Sequence, residues 1–185
     1  VCSSAVLGGG IGPRGWILNA QVPGGYPRLD PDRHLAEIAA AEDLSGPGAG
    51  LMTAADVTAY TVAVDEGVTA TVTSGLGVRG WAAAPVQGAD GPLPPGTVNI
   101  VVTVPVPLSD AALVNAVATA TEAKVQALVD AGLDCSGTPT DAVCIAAPDP
   151  GAQAGEPFAG PRSRWGSRLA RAVHRAVLDG APRRS

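Results

Sequence analysis

The sequence predicts an α+β fold: a mixed, largely antiparallel sheet with about three helices packed on it, in a single domain over residues 1–185. Three observations lead there. Two β-branched runs, Thr58 to Asp65 and Val68 to Ser74, are separated only by Glu66-Gly67, the pattern of an antiparallel hairpin. Three segments place apolar residues at helical spacing behind a capping residue. Other short apolar runs alternate with those helices, as linked strands of a mixed sheet do. No internal repeat is present.

In chain order, Ser3 to Leu7 is a short apolar strand ending in the turn Gly8-Gly9-Gly10-Ile11-Gly12. A second strand covers Trp16 to Val22. Asp30-Pro31 opens a helix, Asp as cap and Pro at the first helical position; Leu35, Ile38, Ala39 and Leu44 continue its apolar face to Gly46. Gly50 to Ala54 reads as a strand and Ala55-Asp56-Val57 as a connector to the hairpin. Residues 75–96 are rich in Gly, Pro and Ala and too long for a tight connection, a candidate lid. Thr97 to Val104 is a buried-type strand. Ser109 or Asp110 caps the longest helix, which runs to about Ala131 with Gly132 at its C-terminal stop. Asp141 to Ala147 is the last strand, 148–160 a loop, and Ser163 to Leu178 the terminal helix.

Composition narrows the function. Of the residues, 46% are hydrophobic but only 3% aromatic, so the core is built from Ala, Val, Leu and Ile. A net charge of −5 argues against a general nucleic-acid binder, which needs surplus Lys and Arg. Basic residues are nearly all Arg; Lys124 is the only lysine, which reads as a codon bias more than as chemistry. Three cysteines (Cys2, Cys135, Cys144) without C-x-x-C spacing suggest neither a disulfide framework nor a zinc site, and the default compartment is the cytoplasm. No apolar run reaches the ~18 residues of a membrane span.

Several constellations carry chemistry. Ser136 to Val143 places hydroxyls and a carboxylate in a Gly/Pro turn running into a strand, where a rigid element presents reactive groups; the same residues also suit a capped turn. Gly8 to Gly10 allow close backbone approach to a ligand oxygen, without completing a phosphate-loop or dinucleotide motif. On the long helix Asn115, Thr119, Glu122 and Gln126 share one stripe, suited to a cleft wall or to a solvated edge. Asn19 and Asn99 lie within apolar strand sequence and need partners. His34 lacks a third ligand near Asp30 for a metal site. The terminal stripe Arg164, Arg168, Arg171 and Arg175 suits a solvated face ahead of an anionic partner. Residues alone stop at a small-molecule site lined by Ser, Thr, Asn, Asp and Glu.

Taken in order, Ser3-Ser4-Ala5-Val6-Leu7-Gly8-Gly9-Gly10, Leu18-Asn19, Gly50 to Ala55, Val72-Thr73-Ser74-Gly75-Leu76, Gly96 to Ile100, Thr119 to Lys124 and Gly137 to Val143 resemble the adenosylcobinamide amidohydrolases. Each motif is short; their shared order over Ser3 to about Val177 gives the resemblance its weight. It departs at Pro139, often Gly in the family, and at Gly77-Val78-Arg79, where an Asn is expected. Family members carry further strand sequence before Ser3, so the resemblance implies a truncated N-terminus.

The resemblance implies hydrolysis of the amide between a corrin propionyl side chain and aminopropanol, giving adenosylcobyric acid in corrinoid salvage. The substrate is the corrinoid, whose cobalt enters as cargo; no cofactor, protein metal, nucleic acid or membrane is implied. Asp141 or Glu122 is expected as general base, on water or on a hydroxyl such as Ser3, Ser4 or Thr140. Gly8, Gly9 and Gly10, Gly137-Thr138, or the amides of Asn19 and Asn99 would hold the oxyanion. Thr53 and Thr73 join the substrate-binding set through their motifs. Asn19, Asn99, Glu122 and Asp141 are then expected to share one cleft. The alternative reading is a corrinoid- or small-molecule-binding module without catalysis.

Overall fold

Two backbone pairings fix the architecture. The hairpin turn Glu66-Gly67 has both residues at positive φ (43° and 91°), the mirror-image turn that matches strand twist. It joins β5 (Thr61–Asp65) to β6 (Val68–Ser74). β7 (Val98–Thr103) and β8 (Ala142–Ala146) run parallel, and a parallel pair needs a crossover, here α2 (Asp110–Asp130). The fold is that of a computed structural model, which describes residues 1–85, 96–152 and 154–182.

With β1 (Cys2–Ser3) and β2 (Gly10–Ile11), these strands form a six-stranded sheet in the order β2-β1-β8-β7-β6-β5. Only β7–β8 is parallel, so the sheet is mixed and mostly antiparallel, as expected. A second, parallel pair was not foreseen: β3 (Trp16–Gln21) beside β4 (Gly48–Thr53), linked by α1 (Pro31–Ala41).

Period-2 alternation assigns the faces of the large sheet. Val68, Ala70, Val72, Val98, Ile100, Val102, Val143 and Ile145 point to one side and pack under α2 and α3 (Arg164–Gly180). The intervening Val101, Ala142 and Cys144 point to the other side, against Ala49 and Leu51 of β4. Buried Ala112, Ala116, Ala120, Ala123 and Ala127 give α2 a small-residue surface that lies against α3, consistent with a core poor in aromatics.

Local chemistry explains where the predicted boundaries moved. Ser109, not Asp110, caps α2 through Ala112 N, and Ser163 caps α3 through Gly166 N. Asp30 holds the N-cap position of α1, but its carboxylate makes no capping bond and pairs with Arg28 instead. The hairpin's first arm starts at Thr61 because Val57–Ala59 winds a 3₁₀ turn capped by Asp56. The predicted strand Ser3 to Leu7 shortens to β1, which pairs with β2, sequence expected to be only a turn. The terminal arginine stripe folds back on the hairpin: Arg168 meets Glu66, and Arg171 and Arg175 meet Asp65. The Arg171 guanidinium holds the Asp65 carboxyl below its usual range. The middle of the candidate lid, 86–95, lies outside the described residues.

Gly166, in the first turn of α3, faces the carbonyls of Ala159 and Gly160 so closely that a Cβ would overlap both. Gly166→Ala is therefore expected to destabilise the protein by about 1–3 kcal/mol, read as a lower denaturation midpoint at unchanged m-value; an unchanged midpoint would contradict this packing.

Candidate active site

The loop between α2 and β8 folds around one carboxylate. Gly132 (φ 77°) turns the chain out of α2, and Gly137 takes φ 154°, a conformation side chains disfavour. The Thr138-Pro139-Thr140-Asp141 run then lets the acid bond back to the residue three before it. Asp141 Oδ1 accepts from Val98 N–H (2.9 Å) and from the Thr138 hydroxyl. Asp141 Oδ2 accepts from Thr138 N–H (3.1 Å) and from the Lys124 ammonium. The Lys124 and Asp141 side chains are 8% and 12% exposed, so the ion pair is nearly buried. A Cβ on Gly137 would overlap both Asp141 Oδ2 and Lys124 Nζ, so the pair closes directly over that glycine.

The pair forms part of the wall of a cleft of about 530 Å³. Thr121, Lys124 and Val125 of α2 line one side, Val78 to Ala82 another, and Ser136 to Pro139 with Asp141 complete it. Behind the wall, Gly96 C=O accepts from Thr138 Oγ1 (2.8 Å) and Thr140 Oγ1 (2.9 Å), and Thr140 Oγ1 is 2.6 Å from Thr97 Oγ1. The Thr138 hydroxyl thus has two acceptors for one proton, Gly96 C=O and Asp141.

Of the residues singled out from sequence, Asp141, Gly137 and Thr138 line this cleft, with Thr140 directly behind. The remaining ones go elsewhere. Glu122 is solvent-exposed and absent from the lining. It sits two residues, about 200° of helical turn, from Lys124. The polar stripe it belongs to is no cleft wall: Thr119 is buried and donates to Ala159 C=O (2.9 Å), while Asn115 and Gln126 are exposed.

Asn19, Thr73 and Asn99 form a seam on the far face of the sheet. Asn19 Nδ2 donates to Thr73 Oγ1 (3.1 Å), and Asn99 Nδ2 donates to Asn19 Oδ1 (2.8 Å) and Met52 C=O (3.1 Å). Asn99 alternates with Val98 and Ile100, whose side chains face the helices, so it points away from Lys124. The expected convergence of Asn19, Asn99, Glu122 and Asp141 on one cleft therefore does not occur. These amides tie the small parallel pair to the large sheet.

Thr53 Oγ1 accepts from Ala55 N–H (3.0 Å), a turn contact. Ser3 and Ser4 stitch β1 to β8: Ser3 Oγ donates to Val143 C=O (3.2 Å) and Ser4 Oγ accepts from Val143 N–H (3.0 Å). The Gly8 to Gly10 turn presents carbonyls rather than amides. Arg14 donates to Gly8 C=O (3.0 Å) and Gly9 C=O (3.3 Å), and Gly10 pairs with Ser3. The Arg14 guanidinium thus engages the carbonyl side of this turn.

Sequence reasoning missed Lys124. A usable signal existed, since it is the single lysine among twelve Lys and Arg residues and lies within a resembling motif. Set against the apolar α2 core, a cation there needs a built partner. The three cysteines are buried and free, and burial pushes each thiol's pKa up, which makes them poor nucleophiles.

Residues 1–185 match the protein-family model described as adenosylcobinamide amidohydrolase. The chain is 31% identical over 184 residues to an adenosylcobinamide amidohydrolase of Methanosarcina mazei, covering 96% of this chain and 88% of that protein. It is 38% identical over 112 residues to one of Halobacterium salinarum, covering 57% of this chain and 47% of that protein. No solved structure matches.

The two halves of the ion pair differ in what their loss leaves behind. Asp141→Ala strands a nearly buried ammonium and is expected to cost about 3–5 kcal/mol. Lys124→Met leaves Asp141 with three other donors and costs less. Equal losses in denaturant unfolding would contradict this asymmetry.

Proposed function

This chain belongs to the adenosylcobinamide amidohydrolase family, and on that premise we propose that it hydrolyses the amide joining a corrin propionyl side chain to aminopropanol, releasing the corrinoid acid. The observation that carries the reading is the Lys124–Asp141–Thr138 cluster in the wall of a cleft. Amide hydrolysis needs a nucleophile, a charge facing the developing oxyanion, and a proton for the departing amine. The cluster supplies all three.

Asp141 is not a base for free water: its four acceptor positions are filled by Val98, Thr138 (twice) and Lys124. Among its donors the Thr138 hydroxyl is the one that becomes a nucleophile when its proton passes along the existing bond to Asp141. Thr138 Oγ then attacks the amide carbonyl carbon as its proton passes to Asp141. The oxyanion that forms faces the Lys124 ammonium, which its contact with Asp141 aims. Collapse breaks the C–N bond, and the leaving nitrogen takes the proton back from Asp141 as aminopropanol departs. Water hydrolyses the resulting Thr138 ester, giving the carboxylic acid and restoring the hydroxyl. Thr138, next to the expected Thr140, is the hydroxyl in contact with the carboxylate. Corrinoid cobalt is substrate cargo throughout. Among the described residues, no helix is long and apolar enough to cross a membrane.

Incubation with adenosylcobinamide, with free aminopropanol and the corrinoid acid as readouts, tests the reading. Wild-type protein is expected to release both. Lys124→Met and Thr138→Val should each lower kcat about 10²–10³-fold, while Glu122→Gln, on the solvent side of α2, stays near wild type. Corrinoid binding without product would favour the binding-module alternative, and near-native turnover by Lys124→Met would remove the charge from the mechanism.

A further inference from the structure

Aromatic side chains are scarce here: three Trp, two Tyr and one Phe in 185 residues. Trp165 is buried in the main core, and the Trp16 ring lies over the backbone of Gly48. Trp81 does neither. It is 46% exposed and lines the same cleft as Lys124 and Asp141. Tyr60 and Phe158 are also exposed, but they lie outside this cleft.

An exposed indole is ordinarily free to change rotamer. This one is held. Its Nε1–H donates to Asp134 Oδ1 (2.9 Å). The backbone around it is stitched to the catalytic loop: Gly80 N–H donates to Gly137 C=O (3.0 Å), Ser136 N–H to Gly80 C=O (2.9 Å), and Ala82 N–H to Ser136 Oγ (2.8 Å). The ring is fixed to the loop that carries Thr138 and Asp141, so its ordering cost falls on folding and not on binding.

Size decides what such a ring meets. A cleft of about 530 Å³ is within the range of pockets for drug-sized ligands. A corrinoid bearing an adenosyl group is much larger, so only the amide-bearing side arm enters and a flat conjugated ring system stays at the rim. We propose that Trp81 is the platform on which that ring system stacks, and that Asp134 is a positioning residue that holds the indole for it. This rests on the hydrolase reading above and adds a specificity element remote from the scissile bond.

The test is steady-state kinetics on the full chain. Trp81→Ala should raise KM about 5- to 100-fold with kcat changed less than about threefold. Trp81→Phe should recover most of the loss, and Asp134→Ala should raise KM by a smaller factor, also at constant kcat. Using adenosylcobinamide beside a cobinamide without the adenosyl group identifies the stacked ring: a KM effect with both supports the platform with the macrocycle on it, and an effect with the adenosylated form alone supports it with adenine. Unchanged KM in Trp81→Ala, or a fall in kcat with lowered thermal stability, overturns the platform. A wild-type chain that releases no aminopropanol overturns the underlying hydrolase reading instead.

Discussion

The Asp141 carboxylate is where three elements of this protein are joined. It receives the first N–H of β7, the backbone and hydroxyl of the α2–β8 loop, and the ammonium of α2. Burying an anion without partners is costly, and four donors, one of them charged, make this position tolerable. Because those donors come from separate elements, the requirement to satisfy one side chain also fixes the relative placement of helix, strand and loop. The cleft wall follows from that placement, and so does the orientation of Lys124.

The two faces of the large sheet are used differently, and this separation explains the site's composition. Toward α2 and α3 the sheet is sealed by aliphatic packing, so the chemistry is pushed to the sheet's end, where β7 and β8 begin and their parallel crossover leaves a loop. On the far face, Asn19, Asn99 and Thr73 form a polar seam beneath β3–β4. Such a seam contributes specificity more than stability, since hydrogen-bonded amides accept only a partner sheet in register. Among the described residues Asn99 Oδ1 is buried with no hydrogen-bond partner, so the seam is not fully satisfied there.

Sequence periodicity reached the elements whose pattern is local. The β5–β6 hairpin was legible because Glu66-Gly67 and the flanking β-branched residues act within a few positions, and α2 and α3 because their serine caps precede regular apolar stripes. Less legible were features set by distant partners. β2 is two exposed residues whose strand character exists only by pairing with β1, and the β3–β4 pair depends on Trp16 finding Gly48 across α1. The same rule governs the site. The Thr138 to Asp141 turn is local and stands out in the sequence, whereas Lys124 lies 17 residues from its carboxylate and no local pattern links the two. Asn19 and Asn99 read from the sequence as polar groups in need of partners, but need alone does not distinguish a ligand from a neighbouring strand.

A nearly buried lysine held by one acid is an unusual use of stability, because exchanging such a pair for apolar side chains is often neutral or favourable in folded proteins. Here the neighbouring positions Ala120, Ala123, Ala127 and Leu128 show that α2 readily accommodates aliphatic residues. The cation is therefore not demanded by the core. Its position at the cleft wall, with Gly137 kept bare so that the two charges can close over it, is the arrangement expected when a charge is retained for what it does to a bound amide. Arginine would not serve in the same place: its wide planar fork needs several acceptors, while a compact ammonium needs only the single Asp141 oxygen and leaves its remaining protons for other acceptors. That constraint gives a physical reason for the one lysine in a chain that otherwise uses arginine.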